Sequence, residues 1–166
     1  QSKMRDALVA AVSLKIFNKH CDRVKLACIA QTVNVLQSVV LTEGEKMILT
    51  PTYHVFHMYK YHQGAQLLDS RLVGAGTAGA EENSVPALQE SVSVQEDGTV
   101  TVTVANLSVE KSYPVELVFM EKKPERAEAR ILTNEMHAKN TFEKPDTVKE
   151  EAFDGVTLTE RGASFT

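Results

Sequence analysis

"VKLACIAQTVNV", Val24 to Val35, decides how the first half of the chain is read. The small and apolar run Val24–Ala30 has the length and composition of a strand. It stops on the polar Gln31, with Thr32 and Asn34 just beyond. A strand ending at solvent has no need of an amide there. One ending in a binding site can use it as both donor and acceptor.

Upstream, "MRDALVAAVSLKIFNKHCD" repeats Met4, Leu8, Val9, Val12 and Ile16 at three- and four-residue steps, the apolar stripe of a helix. Lys15, Lys19 and His20 suit its negative C-terminal end. Downstream, Thr32–Val40 reads as a loop or short helix, and "EKMILT" as a brief strand or extended connection. Thr50-Pro51 then starts a helix, with Thr as cap and Pro in the first position. That helix, "PTYHVFHMYKYHQ", carries Tyr53, Phe56, Met58 and Tyr61 on more than one side and ends at Gly64.

After residue 66 the period falls to two. "SVSVQEDGTVTVTVANLS" sets Val92 and Val94 on one face, turns at Asp97-Gly98, and returns with Val100, Val102 and Val104, a strong hairpin signal. "YPVELVFMEKK" and "ARILT" continue as strands, and the last 26 residues or so, from Thr141, supply two weaker ones. "VGAGTAGAEENS", Val73 to Ser84, reads as a flexible acidic loop whose glycines lack the strand–turn–helix setting of a phosphate loop. The second half is therefore an antiparallel β-sandwich of hairpins. The first half looks like β/α units short of the neighbours a parallel sheet needs.

The 166 residues are 43% hydrophobic, too apolar for disorder, and carry a net charge of -4. That charge argues against nucleic acid and anionic membranes as partners. No apolar run approaches the ~20 residues that span a bilayer. Cys21 and Cys28 read as free thiols in a reducing, cytoplasmic compartment, with Cys28 a small buried hydrophobe. The sequon at Asn106 matters only in a secretory pathway, and no signal segment opens the sequence. The chain starts at Gln1 rather than Met, which leaves room for a segment ahead of it.

From Asp6 to about Leu68 the order and spacing of helix, strand, loop and helix closely resemble the end of the catalytic barrel in α-L-arabinofuranosidases of glycoside hydrolase family 51. The hairpin region and "NTFEKPDTVK" resemble the family's C-terminal sandwich more loosely. The resemblance implies an α+β fragment. Residues 1–65 would be the last β/α units of a (β/α)8 barrel, with Val24–Ala30 its eighth strand. Residues 66–166 would be a jelly-roll-like sandwich lacking its last strand. Barrel active sites lie at the C-terminal ends of the strands. Gln31 takes the place of a family Gln that hydrogen-bonds arabinose, so it is the expected substrate contact. By spacing alone, a Gln that only satisfies loop backbone is an equal reading.

Family members are retaining enzymes, which need two carboxyl groups ~5 Å apart. In the family these come from the fourth and seventh strands, which lie upstream of Gln1. No catalytic residue is therefore assigned here, and the chain alone is expected to be inactive. Glu43 and Glu45 read as solvated loop charges, and Asp154 and Glu160 fall in the sandwich with no family counterpart. His54 and His57, with His62 beyond, lack a third ligand on their face, so packing histidines are expected rather than zinc. His20, Cys21 and Cys28 match no ligand spacing, and no serine sits in an elbow motif. No metal or cofactor is expected. With no Trp and only Tyr113 in the second half, stacking on polysaccharide is weakly supplied.

Two readings follow. The first is the C-terminal portion of an arabinofuranosidase acting on arabinan or arabinoxylan oligosaccharides, homo-oligomeric through its uncovered apolar faces. The second is an independent carbohydrate-binding or interaction module.

Overall fold

The computed structural model describes residues 2–166. Helix α1 spans Met4–Lys19. Its first turn is closed by Asp6, whose carboxylate accepts from the Lys3 N–H at 2.7 Å. The next free amides, of Met4 and Arg5, donate to the carbonyls of Ala138 and Met136 at 2.9 and 3.1 Å. Groups that every helix start leaves unpaired are thus satisfied by the far end of the chain. At the other end, Lys19 Nζ reaches Glu90 at 2.7 Å and Ser70 Oγ at 2.6 Å, and Asn18 donates to Ser91.

The buried side of α1 is Met4, Ala7 and Ala11, whereas Val9 and Ile16 are exposed. Of the expected stripe, Met4 is buried and Leu8 and Val12 are half-buried, but Val9 and Ile16 face outward, and small alanines let the helix lie close to its neighbours.

Val24–Ala30 runs without regular secondary structure, and among the described residues no strand pairs with it, so the expected strand is not formed as one. A strand exists through its ladder, and a strand of a closed barrel is paired on both edges. Thr32–Val39 is a loop, as one of the two readings had it. It leads into β1 (Val40–Glu43), an unforeseen strand that forms a hairpin with β2 (Lys46–Leu49), the brief strand read in "EKMILT". Helix α2 (Pro51–Tyr59) begins as expected, with Thr50 Oγ1 accepting from the Tyr53 N–H. A single 3-10 turn, Lys60–His62, extends it toward Gly64.

All strand pairs in the sheets are antiparallel. Strand β3 (Gln66–Leu67) pairs with β6 (Leu88–Val94), and β4 (Thr77–Ala78) with β5 (Val85–Pro86), inside and beside the stretch expected to be loop. The long hairpin of β6 (Leu88–Val94) and β7 (Val100–Asn106) has the expected register, with Val92 opposite Val102 and Val94 opposite Val100. Its turn closes through the Gly98 N–H to Gln95 O at 2.9 Å, with Gly98 at φ +84°. That is a conformation only glycine adopts without cost. Beyond it lie β8 (Val115–Val118), β9 (Ala129–Ile131), β10 (Glu151–Phe153), β11 (Thr157–Thr159) and β12 (Gly162–Phe165). The C-terminal stretch therefore holds three strands rather than two. Strand β12 lies between β11 and β8, and β10 pairs with β9. Together these elements make a mixed α+β fold with mostly antiparallel sheets.

One buried cluster holds the molecule together. Met4, Ala7 and Ala11 of α1 and Val55 of α2 meet Ala105 of β7 and Val148, with Leu8, Leu14, Tyr59 and Leu132 at its edge.

Candidate functional site

The loop after Ala30 is built from three non-glycine residues in left-handed conformation: Gln31 (φ 55°), Asn34 (φ 55°) and Gln37 (φ 65°). Such residues are uncommon, and each costs of order 1 kcal/mol or more, so surrounding bonds must hold them. Those bonds come from the hairpin. The Asn34 N–H donates to Val40 O at 3.1 Å, and the Val40 N–H donates to Thr32 O at 3.1 Å. The Asn34 side chain donates to Thr42 Oγ1 at 2.8 Å and accepts from the Thr42 N–H at 2.7 Å. Val33 and Val40 form a parallel bridge. The loop is thus stitched onto the outer edge of β1.

Gln31 stands at the head of this loop, just after the segment Val24–Ala30, and is exposed. Its amide takes no part in the loop bonds just described. Along Val24–Ala30 exposure alternates: Ala27 and Ile29 are half-buried, whereas Leu26, Cys28 and Ala30 are exposed. Both thiols are free and exposed, so Cys28 is not the buried hydrophobe expected. A barrel strand has both faces covered; this segment has one. Beside it a cleft of about 190 Å³ opens between α1 and α2, lined by Val9, Phe17, Ile29 and Phe56, with Gln37 at its edge. Gln37 lines this cleft and Gln31 does not. A larger groove against β8 and β12 shares no residue with the Gln31 loop.

The carboxylates noted in the sequence stay apart from this place. Glu43 and Glu45 are exposed on the β1–β2 hairpin, and Asp154 and Glu160 are exposed just past the ends of β10 and β11. None of them adjoins Gln31 in the chain or is bonded to its loop.

The histidines of α2 do find a partner, one the sequence did not reveal. Glu150 Oε1 lies 2.5 Å from His57 Nδ1 and 3.7 Å from His54 Nδ1, while its Oε2 accepts from Arg130 Nε at 2.9 Å. The histidine contacts are ion-pair approaches rather than aligned hydrogen bonds, since neither Nδ1 has a hydrogen-bond partner of good geometry. Burial raises the Glu150 pKa, but the Arg130 bond and the His57 and Arg130 charges outweigh it and hold the carboxyl below its ordinary value. Burial lowers the pKa of His54 against the opposing pull of Glu150. His62, also lowered by burial, bridges Ser93 Oγ at 2.7 Å and Thr103 Oγ1 at 3.0 Å. These contacts tie α2 and its 3-10 extension to the strands, a packing role. Among the described residues no group of three or more His, Cys, Asp or Glu is arranged to hold a metal.

The shifts fix a sign. The unfolded chain binds protons at His54 and His62 before the folded one does, so stability is full above the unfolded imidazole value of about 6.5 and falls as pH drops through it. Glu150 contributes stability present above the unfolded carboxyl value of about 4.3, which is lost as pH falls further. The thermal midpoint should therefore decline from pH 7.5 to 5.5 and again below 4.5. His62→Asn should flatten the first decline. A midpoint independent of pH over that range would contradict the assignment.

Comparison with known proteins places the chain. Residues 1–166 match the α-L-arabinofuranosidase C-terminal domain family, and the chain belongs to it. It is 38% identical over 159 residues to an intracellular exo-alpha-L-arabinofuranosidase of Bacteroides ovatus, covering 95% of this chain and 31% of that protein. It is 26% identical over 155 residues to an intracellular exo-alpha-(1->5)-L-arabinofuranosidase of Streptomyces lividans, covering 92% of this chain and 23% of that one. Among solved structures, the GH51 arabinofuranosidase from Xanthomonas axonopodis pv. citri superposes with a TM-score of 0.88 at 38% identity, over all of this chain and 34% of that one. The chain thus spans about a third or less of the length of these relatives. The comparisons do not favour an independent binding module. Among the described residues no helix is long and apolar enough to cross a membrane.

Proposed function

We propose that this chain is the C-terminal portion of a retaining α-L-arabinofuranosidase that removes terminal non-reducing α-L-arabinofuranosyl groups from arabinan or arabinoxylan oligosaccharides. Membership of the α-L-arabinofuranosidase C-terminal domain family carries the reading. Residues 1–65 supply the end of a (β/α)8 barrel, and residues 66–166 a jelly-roll-like sandwich that braces it. Val24–Ala30 is the eighth barrel strand, its ladder completed by neighbouring strands of the longer polypeptide. Gln31, exposed at the C-terminal end of that strand, hydrogen-bonds the arabinose, giving and receiving through one amide. The catalytic carboxyls lie elsewhere in the longer polypeptide. The protein works inside the cell, as the names of two relatives say of them. This chain alone self-associates through apolar surface that the longer polypeptide would cover, such as Leu26, 80% exposed, and Val9, 62% exposed.

The test is hydrolysis of an aryl α-L-arabinofuranoside. The longer polypeptide should release arabinose, and this chain alone should release none while scattering light as an oligomer. In the longer polypeptide Gln31→Ala should lower kcat/KM about 100-fold, the cost of a lost hydrogen bond plus a stranded sugar hydroxyl. An inactive longer polypeptide would refute the activity, and an unaltered kcat/KM would remove Gln31 from the site.

A further inference from the structure

We infer that Asn34 is a positioning residue that sets the Gln31 amide by clamping the loop behind it to the β1–β2 hairpin. The inference rests on the proposed role of Gln31 as a sugar contact.

Gln31 has a left-handed backbone, and nothing in its own side chain holds it there. A glutamine gains little from that conformation, whereas asparagine tolerates it better than most residues. Asn34, three residues on, shares the conformation and is the point where the loop is fastened. Its amide makes both available bonds to one residue, giving to Thr42 Oγ1 at 2.8 Å and receiving from the Thr42 N–H at 2.7 Å. Its own N–H adds the bond to Val40 O at 3.1 Å. Those three bonds lie on the edge of β1 away from β2, beside the Val40 N–H bond to Thr32 O.

Without the side-chain pair, the loop would keep its backbone bonds among Thr32, Asn34, Val35, Ser38 and Val40 and the Thr50 bond to Ser38 O, but its side-chain fastening to β1 would be lost. The loop would swing, and Gln31 would visit its sugar-facing position for a fraction of the time. A group that acts this way lowers occupancy of the competent state rather than removing a contact.

A double-mutant cycle in the longer polypeptide tests this, read on kcat/KM for an aryl α-L-arabinofuranoside and on arabinose inhibition. Asn34→Ala should lower kcat/KM about 10-fold in the parent background and by less than about 2-fold when Gln31 is already Ala. Asn34→Asp, which keeps an acceptor for the Thr42 N–H and can accept from its hydroxyl, should restore most of the loss. Asn34→Gly keeps the backbone freedom without the amide and should behave like Asn34→Ala. If Asn34→Ala does not fold, Thr42→Val removes one bond of the pair and should show a smaller loss with the same dependence on Gln31. Equal losses in both backgrounds would overturn the inference while leaving Gln31 as a contact, and so would a fully active Asn34→Gly. No effect of Gln31→Ala alone would overturn the site reading first and this inference with it.

Discussion

Asn140→Ala should lower the stability of the protein by about 3–5 kcal/mol, the sum of buried groups left without partners. Asn140 is 3% exposed and makes three hydrogen bonds. It donates to Leu49 O and to Val148 O, each at 2.8 Å, and accepts from the Val148 N–H at 2.7 Å. One amide thus joins the end of β2, just ahead of α2, to the segment that carries Val148 into the core. Val148 is wholly buried, so water cannot replace the lost partners. For a chain of this size the loss corresponds to a midpoint lower by roughly 10 °C or more. Asn140→Asp should fare no better, because it turns a donor to two carbonyls into an acceptor. A midpoint within about 2 °C of the parent, measured by calorimetry at pH 7.5, would show that the amide is dispensable.

Gly162→Ala should be comparably damaging, by about 3 kcal/mol, through overpacking rather than loss. A Cβ there would stand 2.2 Å from Leu117 O and 2.7 Å from a ring carbon of Phe119. The backbone at φ +156° is also one that side-chain-bearing residues rarely adopt. Gly162 is opposite Val118 in the β8–β12 ladder, so the clash falls on the pairing itself. Hydrogen exchange should show early loss of protection over β8, β11 and β12 while α1 stays protected. Gly98→Ala offers the contrast, since nothing lies within 4 Å of its added Cβ. Its cost should be strain alone, about 1 kcal/mol. If the two variants melted together, the crowded glycine would not be the constraint described.

Sequence reading succeeded where local chemistry and tertiary environment agree. The β6–β7 hairpin follows from alternating valines around Asp97-Gly98, and α2 from a Thr cap followed by Pro, and both stand as expected. It failed where the deciding partner is distant. Glu150 looks like one acid in the charged run "VKEEAF", and only folding brings it to His54 and His57. The β1–β2 hairpin was missed because its turn, Gly44-Glu45, sits within charged residues and only Ile48 of its strands is fully buried. In α1 the alanines that face the core gave a weaker signal than Val9 and Ile16, which face outward. At the candidate site, Gln31 drew notice as a polar stop after an apolar run. The left-handed loop and the Asn34–Thr42 pair had no comparable mark, although an Asn between two valines was the available hint.

The buried cluster in which Met4, Ala7 and Ala11 meet Ala105 and Val148 also bears on how such a protein can change over time. The helices at the front of the chain have their inner seam supplied by residues from its back half. Severing the chain near residue 65 would leave an oily scar on each piece. Recombination would be obliged to pass the two on as one heritable cassette, and substitutions on either side of the seam should be tolerated only in matched pairs.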